Sequence, residues 1–168
     1  MNFYYDEMDS PVGMLTIMTD GEKAIRIDYG PFAELEASMQ KWAKRYFEHP
    51  AFIQNSEQVD HVKSELLDYF QGKRQDFSFA FAFHGTPFQQ KVWHALYDAI
   101  PYGQTRTYKD IAEVIGKPKA IRAVGGAVNK NPFSIVVPCH RVIGSNGKMV
   151  GYGGGVDKKE FLLAHEAK

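Results

Sequence analysis

The sequence has one cysteine, Cys139, in 168 residues. No intrachain disulfide can form, and a zinc site built on several thiolates is excluded. Such sparing use of cysteine fits a reducing compartment, and a cytoplasmic protein is expected. No apolar run approaches the roughly 20 residues that a membrane-spanning helix requires, so no membrane partner is expected. The first ten residues, MNFYYDEMDS, are acidic and lack the apolar core of a secretion signal. Internal repeats and low-complexity tracts are missing too. Nor does either charge predominate: 20 Lys+Arg balance 20 Asp+Glu. The balance hides an uneven spread. Residues 1–84 hold 8 Lys+Arg against 14 Asp+Glu, a net of −6, and residues 85–168 hold 12 against 6, a net of +6. Either the second half meets a polyanion, or the division of solvated charge is accidental.

What is present is enough apolar sequence, 44% with 14% aromatic, to pack a core. Met14 to Thr19 and Lys23 to Tyr29 read as strands of a hairpin around Asp20-Gly21. Residues 33–48 and 57–71 read as helices, the second capped by Ser56, stopped by Gly72, and apolar along Val59, Val62, Leu66 and Phe70. Phe77, Phe79, Phe81 and Phe83 alternate with small residues, which is the period of a strand with one aromatic face. The character changes near His84-Gly85. Thr86-Pro87-Phe88-Gln89 is a capping-box start for a helix running to about Ala99. Thr107 with Asp110 opens a second helix, which Gly116 stops, and Pro118 opens a third reaching about Val128. Two short helices across a tight turn form a helix-turn-helix pattern. The division expected is 1–85, a small α/β unit without evident chemistry, and 86–168, which carries the function.

Cys139 is the centre of that function. A lone cysteine is often a small buried hydrophobe, but this one is followed by His140-Arg141, two groups whose positive charge favours thiolate. An unperturbed thiol has a pKa of about 8.5 and is only slightly ionised at pH 7, so a base is needed. His140 is the local candidate. On an extended segment adjacent side chains point apart, so a water between sulfur and imidazole is expected. Glu166 could orient that imidazole as the acid does in a triad, although His165 competes for the role. The third helix is the candidate reader of nucleic acid. Lys117, Lys119, Arg122 and Lys130 lie in a stretch without acids, suited to phosphate contacts. Val124 and Val128 face the core. Ala123, Gly126 and Ala127 form a nearly side-chain-free face, suited either to a groove floor or to close helix packing. The glycine-rich residues 147–155 lack the spacing of a phosphate-binding loop and read as a bent loop around Tyr152.

The segments TPFQQKVWHALYDAIPYGQTRTYKDIA, KPKAIRAVGGAVNKNP, IVVPCHRVIGSNGKMVGYGGG and FLLAHE together resemble the O6-alkylguanine-DNA alkyltransferase family. They cover residues 86–166 almost without a gap. The resemblance implies an α+β fold, with a ribonuclease H-like N-terminal domain (antiparallel sheet with helices) and a mostly helical, winged-helix-like C-terminal domain. It implies one irreversible transfer of an alkyl group from guanine O6, with thymine O4 a second candidate, to Cys139. His140 would deprotonate Cys139 through a water, Glu166 would complete the relay, and Asn131 would brace the cysteine turn. Arg122 would fill the gap left by a flipped nucleotide, with Ala123, Gly126, Ala127 and Lys119 on the DNA. Tyr108 would crowd the neighbouring phosphate and donate a proton to guanine N3. Carbonyls of Cys139 and Val142, the side chains of Pro138 and Lys159, and the loop at Tyr152 and Gly153 would line the base pocket. The implied partner is double-stranded DNA, entered through the minor groove by a monomer, with no cofactor. Some family members have serine at the position of Gly153, and some carry zinc in the N-terminal part; residues 1–85 here contain no cysteine, so no metal is expected. Two other readings compete: a helix-turn-helix regulator or lesion sensor with an incidental thiol, and a thiol hydrolase indifferent to DNA.

Overall fold

The computed structural model describes residues 1–147 and 155–168. The chain divides into two compact units, Met1–His84 and Gly85–Lys168.

The first unit is built on four strands, β1 (Asn2–Met8), β2 (Leu15–Thr19), β3 (Ala24–Tyr29) and β4 (Ala51–Gln54), in the order β3-β2-β1-β4. The first three pair antiparallel, and β4 joins β1 in parallel. The β2–β3 hairpin turns at Asp20-Gly21 because Asp20 Oδ1 accepts from the backbone N–H of Glu22 and Lys23, both at 2.8 Å, while Gly21 takes φ 103°. Two helices, α1 (Phe32–Ala43) and α2 (Ser56–Phe70), complete the unit. Phe3, Met18, Ile25, Phe32 and Met39 form a core cluster, and α2 buries Val59, Val62, Leu66 and Tyr69. Several details differ from the sequence reading. α1 ends at Ala43 and not near residue 48, and Tyr69 rather than Phe70 completes the buried face of α2. β1 and β4 have no clean alternation to reveal them. α2 is capped by Asn55, whose side chain accepts from Gln58 N, rather than by Ser56. The phenylalanine segment 77–83 is not a strand: it forms an isolated bridge to β3 at Ala24, through Ala24 N to Ala80 O and Ala82 N to Ala24 O. Its rings pack on one another instead, at 5.5 to 6.3 Å between centroids, so the alternation survives without the ladder.

The second unit contains α3 (Pro87–Ala99), β5 (Arg106–Thr107), α4 (Tyr108–Val114), α5 (Ile121–Asn129), a 3-10 turn (Cys139–Arg141), β6 (Val142–Ile143) and α6 (Val156–Glu166). Thr86 and Gln89 close the expected capping box on α3, and Thr107 and Asp110 close a second on α4. Gly116, at φ 75°, ends α4 in the left-handed region that glycine tolerates. α5 begins at Ile121, three residues later than Pro118 suggested, because residues 117–120 form a turn closed by Ala120 N to Lys117 O, with proline at its second position. Trp93 links α3 to α5 by donating Nε1 to Ala127 O at 2.8 Å. No helix among the described residues is long and apolar enough to cross a membrane.

Gly85 packs against that tryptophan. A Cβ there would lie 2.6 Å from two ring carbons of Trp93 and 2.9 Å from Gln89 Oε1. Since the Trp93 ring is buried and anchored, Gly85→Ala is expected to cost about 1–3 kcal/mol, measured as a lower urea midpoint followed by Trp93 fluorescence in a Trp42→Phe background.

Candidate active site

The segment leading to Cys139 is held by Asn131. Its Oδ1 accepts from Phe133 N at 3.0 Å, and its Nδ2 donates to Val137 O at 2.8 Å and Phe133 O at 3.2 Å. One amide thus clamps both ends of residues 133–137. Between them Ile135 adopts φ 75°, an outlier for a β-branched residue. Such strain persists only where neighbours over-determine the backbone. Here Val137 N to Phe133 O at 3.1 Å and Val136 N to Ser134 O at 2.9 Å do so. The apolar run is therefore a pair of tight turns, not an extended segment.

Cys139 opens the 3-10 turn and is buried, as is Pro138 before it. In a 3-10 turn successive side chains diverge by about 120°. Cys139 and His140 therefore point apart, as expected, although not for the reason expected. His140 is fully buried, at 0% exposure. Its Nε2 lies 2.8 Å from Glu166 Oε2, and its Nδ1 is buried with no hydrogen-bond partner among the described residues. His165, the rival, stacks on Phe161 one helical turn away, rings 8° from parallel. Burial pushes the His140 imidazole down from its ordinary value. Glu166 opposes this through its hydrogen bond and charge, and Arg141 and Lys159 add to the lowering. Burial alone would raise the Glu166 carboxyl, but hydrogen bonds from His140 and Arg141, with their charges, outweigh it and hold the group far below the usual carboxylate range.

Arg141 does not stay beside the sulfur as a second cation. It donates Nε to Glu166 Oε1 at 2.7 Å, Nη2 to Glu166 Oε2 at 3.0 Å, and Nη1 to Ile100 O at 2.7 Å, at the end of α3. The cation near the sulfur comes instead from α6, where Lys159 and Glu166, seven residues apart, share the buried face. Lys159 has 0% exposure, and its Nζ donates to Val142 O. Burial pushes its ammonium down, and negative charge on Cys139 pulls it back.

Tyr108 reaches the site from the other side. β5 pairs in parallel with β6, Arg106 opposite Val142 and Thr107 opposite Ile143, so α4 starts at Tyr108 next to the cysteine turn. Burial, and then the charge of Cys139, raise the Tyr108 phenol. On α5, Arg122, Ala123 and Gly126 are exposed, as is Lys119 before it. Ala127 is not: it is 4% exposed and packed beneath Trp93, so it belongs to the core face with Val124 and Val128. The helical period put it on the open face only because residues 123 and 127 lie a full turn apart, and Trp93 covers the second. Tyr152 and Gly153 lie outside the described residues. Among the described residues no group of three or more His, Cys, Asp or Glu is placed to hold a metal ion.

Residues 87–168 match the family model of the 6-O-methylguanine DNA methyltransferase DNA-binding domain, and residues 3–83 match the ribonuclease-like domain of the same proteins. The chain belongs to this methyltransferase family. It is 46% identical over 164 residues to the methylated-DNA–protein-cysteine methyltransferase of Methanosarcina barkeri, covering 97% of this chain and 96% of that one. The crystal structure of the O6-methylguanine methyltransferase of Mycobacterium tuberculosis superposes with a TM-score of 0.83 at 38% identity, over 98% of this chain and 93% of that one. The Mycobacterium tuberculosis protein in complex with DNA gives a TM-score of 0.77, also at 38% identity, over 99% and 93%.

In this methyltransferase family member, no packing among the described residues requires Gly125 and Gly126 in α5. Among the described residues, a Cβ on Gly126 would meet nothing within 4 Å, and one on Gly125 would reach only the Tyr108 ring at 3.9 Å. Gly126→Ala is expected to stabilise the unit by up to about 1 kcal/mol and to weaken binding to duplex DNA. Paired melting and fluorescence-anisotropy titrations read both; stronger or equal DNA binding would remove Gly126 from the interface.

Proposed function

We propose that this protein repairs alkylated DNA by direct reversal, transferring a methyl or larger alkyl group from guanine O6 to Cys139, once per chain. The observation that carries the reading is the buried arrangement of Cys139, His140 and Glu166 in a member of the 6-O-methylguanine DNA methyltransferase family. With Glu166 anionic, His140 carries its proton on Nε2, and Nδ1 is left as the base. The Cys139 proton passes to it through a water. Sulfur forms the S–C bond as the C–O6 bond breaks, and the electron pair of that bond stays with guanine. Guanine takes a proton at N3 from Tyr108, whose raised phenol keeps that proton at neutral pH, and the His140 imidazolium returns one to the tyrosinate. The thioether is stable and no second nucleophile follows, so turnover stops at one.

Guanine O6 is hidden in the duplex, so the base must be extruded at a cost of a few kcal/mol. Residues 86–168 bind the DNA. Arg122, Ala123 and Gly126 face the minor groove, with Arg122 in the gap and Lys119 on a phosphate. Tyr108 crowds the neighbouring phosphate. Asn131 braces the cysteine turn. Pro138, the Val142 carbonyl and Lys159 line the pocket, and Tyr152 and Gly153 cover the ring. Residues 1–85 support this unit. The protein works in the cytoplasm, where its thiol stays reduced. The test is intact-protein mass after mixing with an oligonucleotide carrying O6-methylguanine, followed by peptide mapping. One methyl per chain on Cys139, saturating at one equivalent of lesion, is the expected result; binding without a gain of mass would replace transfer by lesion sensing.

A further inference from the structure

The Arg141 side chain is enclosed by three elements and used by all of them. It grips both oxygens of Glu166 on α6, it caps the Ile100 carbonyl at the end of α3, and its guanidinium lies 5.7 Å from the centre of the Tyr102 ring. A carbonyl at a helix end has no intrahelical donor, so Arg141 supplies one. A fork of two parallel N–H groups also fixes a carboxylate in plane. Glu166 Oε2 is therefore shared between Arg141 Nη2 and His140 Nε2 in one orientation.

We propose that Arg141 is the positioning residue of the transfer reaction: by holding Glu166 as an oriented anion it keeps His140 protonated at Nε2 and basic at Nδ1, and by its own charge it keeps that imidazole neutral. The inference rests on the alkyl-transfer reading. Two effects act in the same direction. The guanidinium repels a second positive charge on His140, and it neutralises part of the Glu166 charge that would otherwise draw a proton onto the imidazole. The groups facing His140 and Glu166 are Arg141 from the turn, Lys159 from α6, and Tyr102 from the segment after α3. Lys159 also disfavours the imidazolium, and Tyr102 is neutral across the working range because burial and Glu166 raise its phenol. Arg141 thus touches the acid of the relay directly. Glu166 without it would remain an acceptor, but one free to rotate, and its full negative charge would favour uptake of a second proton by the histidine.

The sign of the effect follows. Removing the charge of Arg141 raises the proton affinity of His140, so the base is lost at a higher pH. The acidic limb of the single-turnover rate against pH is expected to move up by about one unit in Arg141→Gln, which slows transfer about tenfold on that limb and leaves affinity for the lesion oligonucleotide within about threefold. Arg141→Lys keeps the charge without the fork, so its limb is expected to stay near that of the wild type while its rate plateau falls. A plateau that falls in both variants with no movement of the limb would reduce Arg141 to a structural strut. A second measurement needs neither variant nor transfer. The 15N shifts of His140 in the unreacted wild-type protein at about pH 7 are expected to report a neutral ring protonated at Nε2. An imidazolium, or a ring protonated at Nδ1, would overturn the proposal even if methyl transfer occurs. Conversely, the expected shifts in a wild-type protein that gains no mass would leave the arrangement standing and remove only the transfer reading.

Discussion

Cys139→Ser is expected to gain no methyl group from an O6-methylguanine oligonucleotide, with the transfer rate falling by about 10⁴-fold or more, the scale on which loss of a nucleophile is felt. The physical reason is proton affinity. A thiol near Lys159 and Tyr108 loses its proton at far lower cost than a hydroxyl in the same place. Little else changes. Cys139 is buried but small, and a serine there costs roughly 1–3 kcal/mol for its hydroxyl. The exposed face of α5 is untouched, so affinity for duplex DNA is expected to stay within about threefold. Intact-protein mass and anisotropy, measured on one preparation, separate the two quantities. Lost uptake with retained binding is the signature of an alkyl acceptor. If the serine variant took up methyl as fast as the wild type, the acceptor would be another side chain. If binding and uptake fell together, the cysteine would be part of the interface and not the nucleophile.

Glu166→Ala is expected to lower the stability of the 85–168 unit by about 3–5 kcal/mol, because removing one partner leaves Arg141 as an uncompensated buried charge. Glu166→Gln, which keeps some hydrogen bonds, is expected to lose less. Urea unfolding followed by Trp93 fluorescence in a Trp42→Phe background reads this unit alone. The same network sets the response to acid. His140 is depressed below its ordinary value of 6.5, so as pH falls through that value the unfolded chain takes up the proton first and the folded state is disfavoured. Glu166 is depressed below 4.5, so its contribution is complete above that pH and drains away beneath it. Both slopes have one sign, at most about 1.4 kcal/mol per pH unit for each group. Stability is expected to decline gently below about pH 6.5 and more steeply below about pH 4.5. In Glu166→Ala the second decline should be reduced. A wild-type stability that rises on acidification through this range would contradict the buried neutral histidine.

Much of this was legible from residues alone. Thr86 with Gln89 and Thr107 with Asp110 start helices by local hydrogen bonds that need no tertiary partner. Asp20-Gly21 and Gly116 act through their own backbone preferences, and the periodic apolar face of α2 needs only a core to meet. Cys139 and its neighbours were recognisable because the chemistry is written in adjacent positions, Pro138 to Val142, and the resemblance to a known family rests on that same continuity.

What distance in sequence separates, only the tertiary structure decided. β1 and β4 carry no strong alternation, and their pairing depends on partners 49 residues apart, such as Asn2 and Ala51. The phenylalanine segment shows a strand period but forms only an isolated backbone bridge to β3, at Ala24, among the described residues, since a period of two describes where side chains point and not which backbone lies alongside. Ala127 obeys the helical spacing of an open face, yet Trp93 covers it. It is His140, 26 residues away, whose imidazole meets Glu166, while the adjacent His165 stacks on Phe161, a pairing that proximity in sequence conceals. Arg141, 25 residues from Glu166 and 41 from Ile100, reads in sequence as a cation beside the sulfur. Folding turns it away, because a buried guanidinium must find acceptors for its donors, and the acceptors available to it are a distant carboxylate and the open end of a helix.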